Sequence, residues 1–161
     1  MPIVRVGVIG TGQMGSWHCR SLLSGRIPGA ELAAVCDLAE ENMEAFKGQK
    51  HFTDPSALLK SKLVDAVLIS TPHFSHTPLA IEAFKNGIHV LCEKPLAVHL
   101  ADAKAMLAAQ SGTGLKFGLM FQQRCQDSFI ALKNLVSQGG LGPVTRVHWT
   151  VTDWFRSNAY Y

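Results

Sequence analysis

Two rhythms run through the chain. Up to about residue 120, short unbroken apolar runs alternate with longer stretches whose apolar positions recur every three or four residues. The runs at 3–9 (IVRVGVI), 31–36 (ELAAVC), 64–70 (VDAVLIS), 88–92 and 115–120 (LKFGLM) predict strands, with a short one near His51 and Phe52. Between them, helices are predicted at 13–23, 39–46, just after Pro55, 77–85 and 99–110. Gly29, Gly48, Asn86-Gly87 and Gly112-Thr113-Gly114 stand where these elements should stop. Unbroken strands, unlike alternating ones, suit a sheet covered on both faces. Repeated strand–helix units therefore predict an α/β fold, a doubly wound parallel sheet of Rossmann type, over residues 1–122.

The rhythm changes after residue 122. A helix at 127–136 leads to the turn Gly139-Gly140-Leu141-Gly142-Pro143, and an alternating segment, VTRVHWTVTDWF (144–155), predicts a strand with one wet face. Trp149, Trp154, Phe155, Tyr160 and Tyr161 crowd the end, where termini are normally polar. Residues 123–161 are expected to begin a second, α+β domain and to leave it incomplete.

Composition narrows the partners. The 161 residues carry a formal charge of only +3, with Lys and Arg scattered, which speaks against nucleic acid or an anionic membrane surface. No apolar run approaches the roughly 18–20 residues of a membrane span, and Arg5 interrupts the N-terminal run where a signal peptide would be apolar. Cys19, Cys36, Cys92 and Cys125 are widely spaced in apolar surroundings, so buried, reduced thiols in a cytoplasmic protein are expected.

Gly10-Thr11-Gly12-Gln13-Met14-Gly15 follows the first strand and opens the first helix, the context a dinucleotide-binding G-x-G-x-x-G demands. Gly10 permits the sharp turn, Gly12 the approach of a pyrophosphate, and Gly15 close packing of helix on strand; the helix N-terminus offers free N–H groups to phosphate. Asp37 ends the second strand 22 residues after Gly15, where a carboxylate can accept the adenosine ribose hydroxyls and repel a 2′-phosphate. Leu38 provides no basic partner for such a phosphate, so NAD is preferred to NADP. A methyltransferase loop would place an acid ahead of its glycines; Val8-Ile9 has none.

Two other strand ends are chemically unusual: Ser70-Thr71-Pro72-His73-Phe74-Ser75-His76 and Cys92-Glu93-Lys94-Pro95. His73 and His76 lack an evident third ligand, so no metal is expected. His18 reads as helix packing. Taken together, VIGTGQMG, VCD, STPHFSHTPLAIEAFKNGIHVLCEKPLA and GLMFQQR followed by SQGGLGPV resemble the Gfo/Idh/MocA oxidoreductases over nearly the whole chain. The resemblance implies a two-domain NAD(P)-dependent enzyme acting on a sugar, cyclitol or related polyol, with residues 123–161 opening its substrate and oligomerisation domain, and a homo-oligomer when full length. It assigns the catalytic role to Lys94, set between nicotinamide and substrate and so also in contact with the cofactor, places Glu93 near the nicotinamide, and puts Thr71, Pro72 and His76 along the cofactor. It suggests a cis peptide before Pro95, and an Asp and His pair beyond Tyr161 to complete the site. At Gln123-Arg124 only Arg124 matches the family's two basic residues.

A free lysine, with a pKa of about 10.4, needs burial or the positive nicotinamide to act as a base near neutrality. Alternatively, Lys94 stays charged and polarises the substrate oxygen. A non-catalytic NAD-binding or regulatory protein, docking a partner through the aromatic end, is the competing reading.

Overall fold

The structure is a computed structural model and describes residues 2–152. It divides into two compact units, Met1–Phe121 and Gln122–Tyr161.

The first unit is built on six strands: β1 (Val4–Ile9), β2 (Ala30–Cys36), β3 (Lys50–Phe52), β4 (Ala66–Ile69), β5 (His89–Glu93) and β6 (Phe117–Met120). Their order is β3-β2-β1-β4-β5-β6, with every neighbouring pair parallel. Parallel pairing requires crossovers, supplied by the helices α1 (Gln13–Leu23), α2 (Pro55–Lys60), α3 (His76–Lys85) and α4 (Leu100–Gln110). Val8, Val35 and Leu68 join Cys19, Leu22, Met43 and Phe46 in one buried cluster. Their strand neighbours Ile9, Ala34, Cys36, Val67 and Ile69 join Leu58, Leu59, Ala80, Phe84 and Met106 in the other. Successive side chains point to opposite faces of a strand, so two clusters on alternate residues mean a sheet covered on both sides. The unbroken apolar runs express that double burial.

The segment after β2 differs from the sequence expectation. Residues Glu40–Phe46 form 3-10 turns rather than an α-helix. The Asp37 carboxylate takes the Ala39 N–H and the Asn42 side-chain amide, and Asn42 N–H closes on the Ala39 carbonyl at 3.1 Å. That three-residue closure winds the first turn tightly.

In the second unit, α5 (Asp127–Ser137) is followed by Gly139, whose φ of 73° lets the chain reverse. The Gly139 and Gly140 N–H groups return to the Val136 and Leu135 carbonyls. Phe129 stacks on Trp149 at 5.5 Å between ring centroids. The predicted strand is absent from residues 144–152, for which no paired neighbour exists among the described residues; a strand without a partner has nowhere to direct its backbone hydrogen bonds. The remainder of that strand, with Trp154, Phe155, Tyr160 and Tyr161, lies outside the described residues. One thiol also departs from expectation: Cys125 is exposed, whereas Cys19, Cys36 and Cys92 are buried. Cys125 sits in a short 3-10 turn and is left exposed by the described residues.

Candidate functional site

The order of the sheet reverses between β1 and β4: the chain winds outward through β2 and β3 on one side and through β5 and β6 on the other. Connections leaving these two strands diverge, opening a crevice beyond their C-terminal ends. Gly10 to Gly15, Asp37, Thr71, Pro72, His76, Glu93 and Lys94 lie at or just after the ends of β1, β2, β4 and β5 or open the helices that follow them.

Gly10 leaves β1 with φ 88°, donates its N–H to the Cys36 carbonyl at 2.7 Å, and passes so close to β4 that a Cβ would lie 2.6 Å from the Ser70 oxygen. Gly15 brings α1 down on the loop; its Cβ would lie 1.7 Å from the Gly10 oxygen. Gly12 is different. Nothing lies within 4 Å of where its Cβ would be, so the backbone faces open space at the start of α1. No side chain caps that helix, and its first N–H groups are left for a ligand or water. Thr11 is buried, while Gln13 and Met14 are exposed on the first turn.

Asp37 fastens this loop. Its Oδ2 accepts from Thr11 N–H at 2.7 Å and Thr11 Oγ1 at 3.1 Å; its Oδ1 accepts from Ala39 N–H at 3.0 Å and Asn42 Nδ2 at 3.1 Å. Partial burial pushes the carboxyl pKa up, but the Ala39 and Thr11 N–H groups and the Asn42 and Thr11 side chains outweigh it, leaving the value below the ordinary aspartate range. The group is therefore an anion with its four acceptor positions already filled from within.

Between Asp37 and the exit of β4 runs a crevice of about 690 Å³, lined by Gly10, Gly12, Asp37, Leu38, Asn42, Thr71 and Pro72, with Pro55, Phe74 and Leu79 forming apolar walls. Among the described side chains, one buried polar atom, Thr71 Oγ1, has no hydrogen-bond partner. An open glycine at a helix start, an anion beside it and an orphaned hydroxyl between apolar walls together fit a dinucleotide. The sequence itself sets Leu38 beside the ribose, but it did not single out Asn42, Pro55, Phe74 or Leu79 as parts of the cleft, because only the crossing of two loops assembles it.

The second group surrounds the β5 exit. Glu93, the last residue of β5, is buried, and its Oε1 lies 2.9 Å from His18 Nε2. Its Oε2 accepts the Lys94 N–H at 3.2 Å. The Lys94–Pro95 peptide is cis. His76, fully buried, has Nδ1 2.9 Å from the Pro95 carbonyl and Nε2 3.0 Å from the Thr71 carbonyl, joining the exits of β4 and β5. A neutral imidazole has one N–H and donates to one of these oxygens at a time. Lys94 itself is exposed. The described residues do not supply the burial that the sequence reading invoked for it. His18, read from sequence as packing, turns out to hold a hydrogen bond to Glu93. The signal was present: Gly15, His18, Cys19 and Leu22 share one helical face, and a polar residue on a buried face needs a partner.

Comparison with known proteins agrees with this geometry. Residues 4–121 match the oxidoreductase family, NAD-binding Rossmann fold, known as Gfo/Idh/MocA. The inositol 2-dehydrogenase of Rubrobacter xylanophilus is 38% identical over 151 residues, covering 91% of this chain and 43% of that protein. The myo-inositol 2-dehydrogenase of Thermotoga maritima is 34% identical over 143 residues, 86% of this chain and 42% of that one. The crystal structure of scyllo-inositol dehydrogenase from Lactobacillus casei, with bound NAD(H) and scyllo-inositol, superposes with a TM-score of 0.84 at 27% identity, covering 89% of this chain and 43% of the other. The chain thus spans less than half the length of these relatives. With more than half of its own residues matched, it belongs to the Gfo/Idh/MocA oxidoreductase family, and residues 4–121 are its NAD-binding Rossmann fold.

Proposed function

We propose that this chain is the cofactor-binding portion of an NAD-dependent oxidoreductase that acts on a cyclitol or a related polyol or sugar, with Lys94 as the residue that handles the substrate hydroxyl. The observation that carries this reading is the setting of Lys94: an exposed amine at the rim of an NAD-binding sheet, flanked by a buried carboxylate and a carbonyl held by a buried imidazole. The inositol dehydrogenases among its relatives support the substrate class.

The chain's own residues divide the work. The N–H groups beginning α1, with Gly12 leaving room, bind the pyrophosphate, and Gln13 and Met14 flank it. Asp37 accepts the ribose hydroxyls, which displace the two long contacts from Asn42 and the Thr11 hydroxyl. Thr71 offers its unpartnered hydroxyl to the cofactor, and Pro72 forms part of the wall. Bound NAD would supply the hydride acceptor for oxidation of the substrate alcohol. Lys94 either takes the hydroxyl proton or, while charged, polarises the oxygen.

Titration of this chain with NAD and NADP, and measurement of polyol-dependent NADH formation by the full-length protein, test the proposal. Asp37→Ala is expected to weaken NAD by about tenfold or more, from lost hydrogen bonds to a charged acceptor, and to weaken NADP less. Equal losses would sink the ribose assignment. Lys94→Met is expected to keep NAD affinity and abolish polyol-dependent NADH formation; undiminished formation would remove Lys94 from the chemistry.

A further inference from the structure

The Lys94 side chain is exposed and makes no hydrogen bond or ion pair among the described residues. Its position is therefore inherited from the main chain at residue 94. We propose that His18 is a positioning residue for Lys94, acting through the Glu93 carboxylate, with His76 holding the other side of the same turn. The proposal rests on the reading of Lys94 as the amine that meets the substrate.

The geometry carries it in three steps. Glu93 and His18 side chains are only 7% and 5% exposed, so the carboxylate has lost its water and depends on protein donors. One oxygen takes His18 Nε2 and the other takes the Lys94 main-chain N–H, so the contact with His18 continues directly into the backbone that carries the amine. One residue further on, the Pro95 carbonyl meets His76 Nδ1, and the same ring reaches Thr71. Lys94 thus sits between two anchored neighbours.

The origin of His18 adds a consequence. It lies on α1, the helix whose start is the proposed pyrophosphate site and whose Gly15 is pressed against Gly10. A single rigid element accordingly bears both the phosphate-binding end and the hold on the lysine turn. The two imidazoles differ in what a substitute can preserve. A glutamine amide nitrogen reaches about where His18 Nε2 stands and can donate to Glu93. At residue 76 no single amide replaces both ring nitrogens.

The test uses the 161-residue chain with its lysines carrying ¹³C-methyl labels, the Lys94 signal being assigned by its loss in Lys94→Arg. Relative to the unaltered chain, His18→Leu is expected to displace and broaden the Lys94 signal, and His18→Gln to restore it. A Lys94 signal that is identical in His18→Leu and the unaltered chain overturns the proposal, as does a His18→Gln spectrum that matches His18→Leu. Should His18→Leu not fold, ring-nitrogen NMR of the unaltered chain decides: a proton on His18 Nε2 is required, and a bare Nε2 overturns the contact. NAD titration of the same samples separates this inference from the reading beneath it. Failure of the unaltered chain to bind NAD removes the cofactor reading and leaves the result for the turn intact. Normal NAD binding with an unresponsive Lys94 signal removes only the positioning role.

Discussion

Arg5 and Asp65 form the most complete ion pair among the described residues. Arg5 donates through Nε at 3.1 Å and Nη2 at 2.6 Å, and its main-chain N–H adds a third bond at 2.9 Å to the same carboxylate. The Arg5 side-chain and backbone hydrogen bonds hold the Asp65 pKa down to about 2, against an ordinary 3.8. A depressed carboxylate stabilises the folded state fully above its unfolded value and loses that contribution as pH falls through its folded value. Asp65→Asn should therefore lower Tm at neutral pH, and the gap to the unaltered chain should close between about pH 4 and pH 2. Both side chains are over two-fifths exposed, so solvent screening keeps the shift to no more than about 2–4 °C. Melting curves across that range check it, and a gap that ignores pH would mean the pair contributes through shape alone. None of this was legible in the sequence, because Arg5 and Asp65 meet only through the pairing of β1 with β4. Asp37 lies at the opposite extreme. Its place after the second strand could be read directly, but its four internal bonds to Thr11, Ala39 and Asn42 needed the folded loop.

At the scale of elements, the two glycines flanking the start of α1 separate folding from binding. A Cβ on Gly15 would collide with the Gly10 carbonyl, backbone that cannot step aside without lifting the helix from the strand. A Cβ on Gly12 meets nothing, and its φ of −60° suits alanine. Gly15→Ala is expected to cost about 1–3 kcal/mol of stability or more, measured by denaturant unfolding. Gly12→Ala should leave stability within about 0.5 kcal/mol while weakening NAD at least tenfold, measured by titration. A Gly12→Ala protein that binds NAD normally would mean the pyrophosphate does not approach there. The glycine spacing and strand pattern made β1, α1 and the doubly wound sheet legible, since local periodicity and burial point the same way. The 3-10 run at Glu40–Phe46 was not, because a side chain from outside it, Asp37, tightens its first turn. Nor was the identity of the partner that His18 needs, which lies 75 positions away.

For the molecule as a whole, the cysteines report which parts are sealed. Cys19, Cys36 and Cys92 belong to the clusters on the two faces of the sheet, and burial pushes each thiol pKa up to about 12. The thiolate is the reactive form, so these three are doubly protected: little of it exists, and reagent cannot reach it. Cys125 is exposed in the second unit, where α5 also leaves Ile130, Leu132, Leu135 and Val136 open. Sequence context placed all four thiols in apolar surroundings, but apolar neighbours bury a residue only when another layer covers them. In the native chain, a thiol reagent should consume one equivalent quickly and the other three only as fast as the sheet opens. The slow phase should accelerate with denaturant in step with loss of secondary structure, and Cys125→Ser should delete the fast equivalent alone. A second fast equivalent would show that one face of the sheet is open to solvent, and that the double burial inferred from the unbroken strands fails on that side.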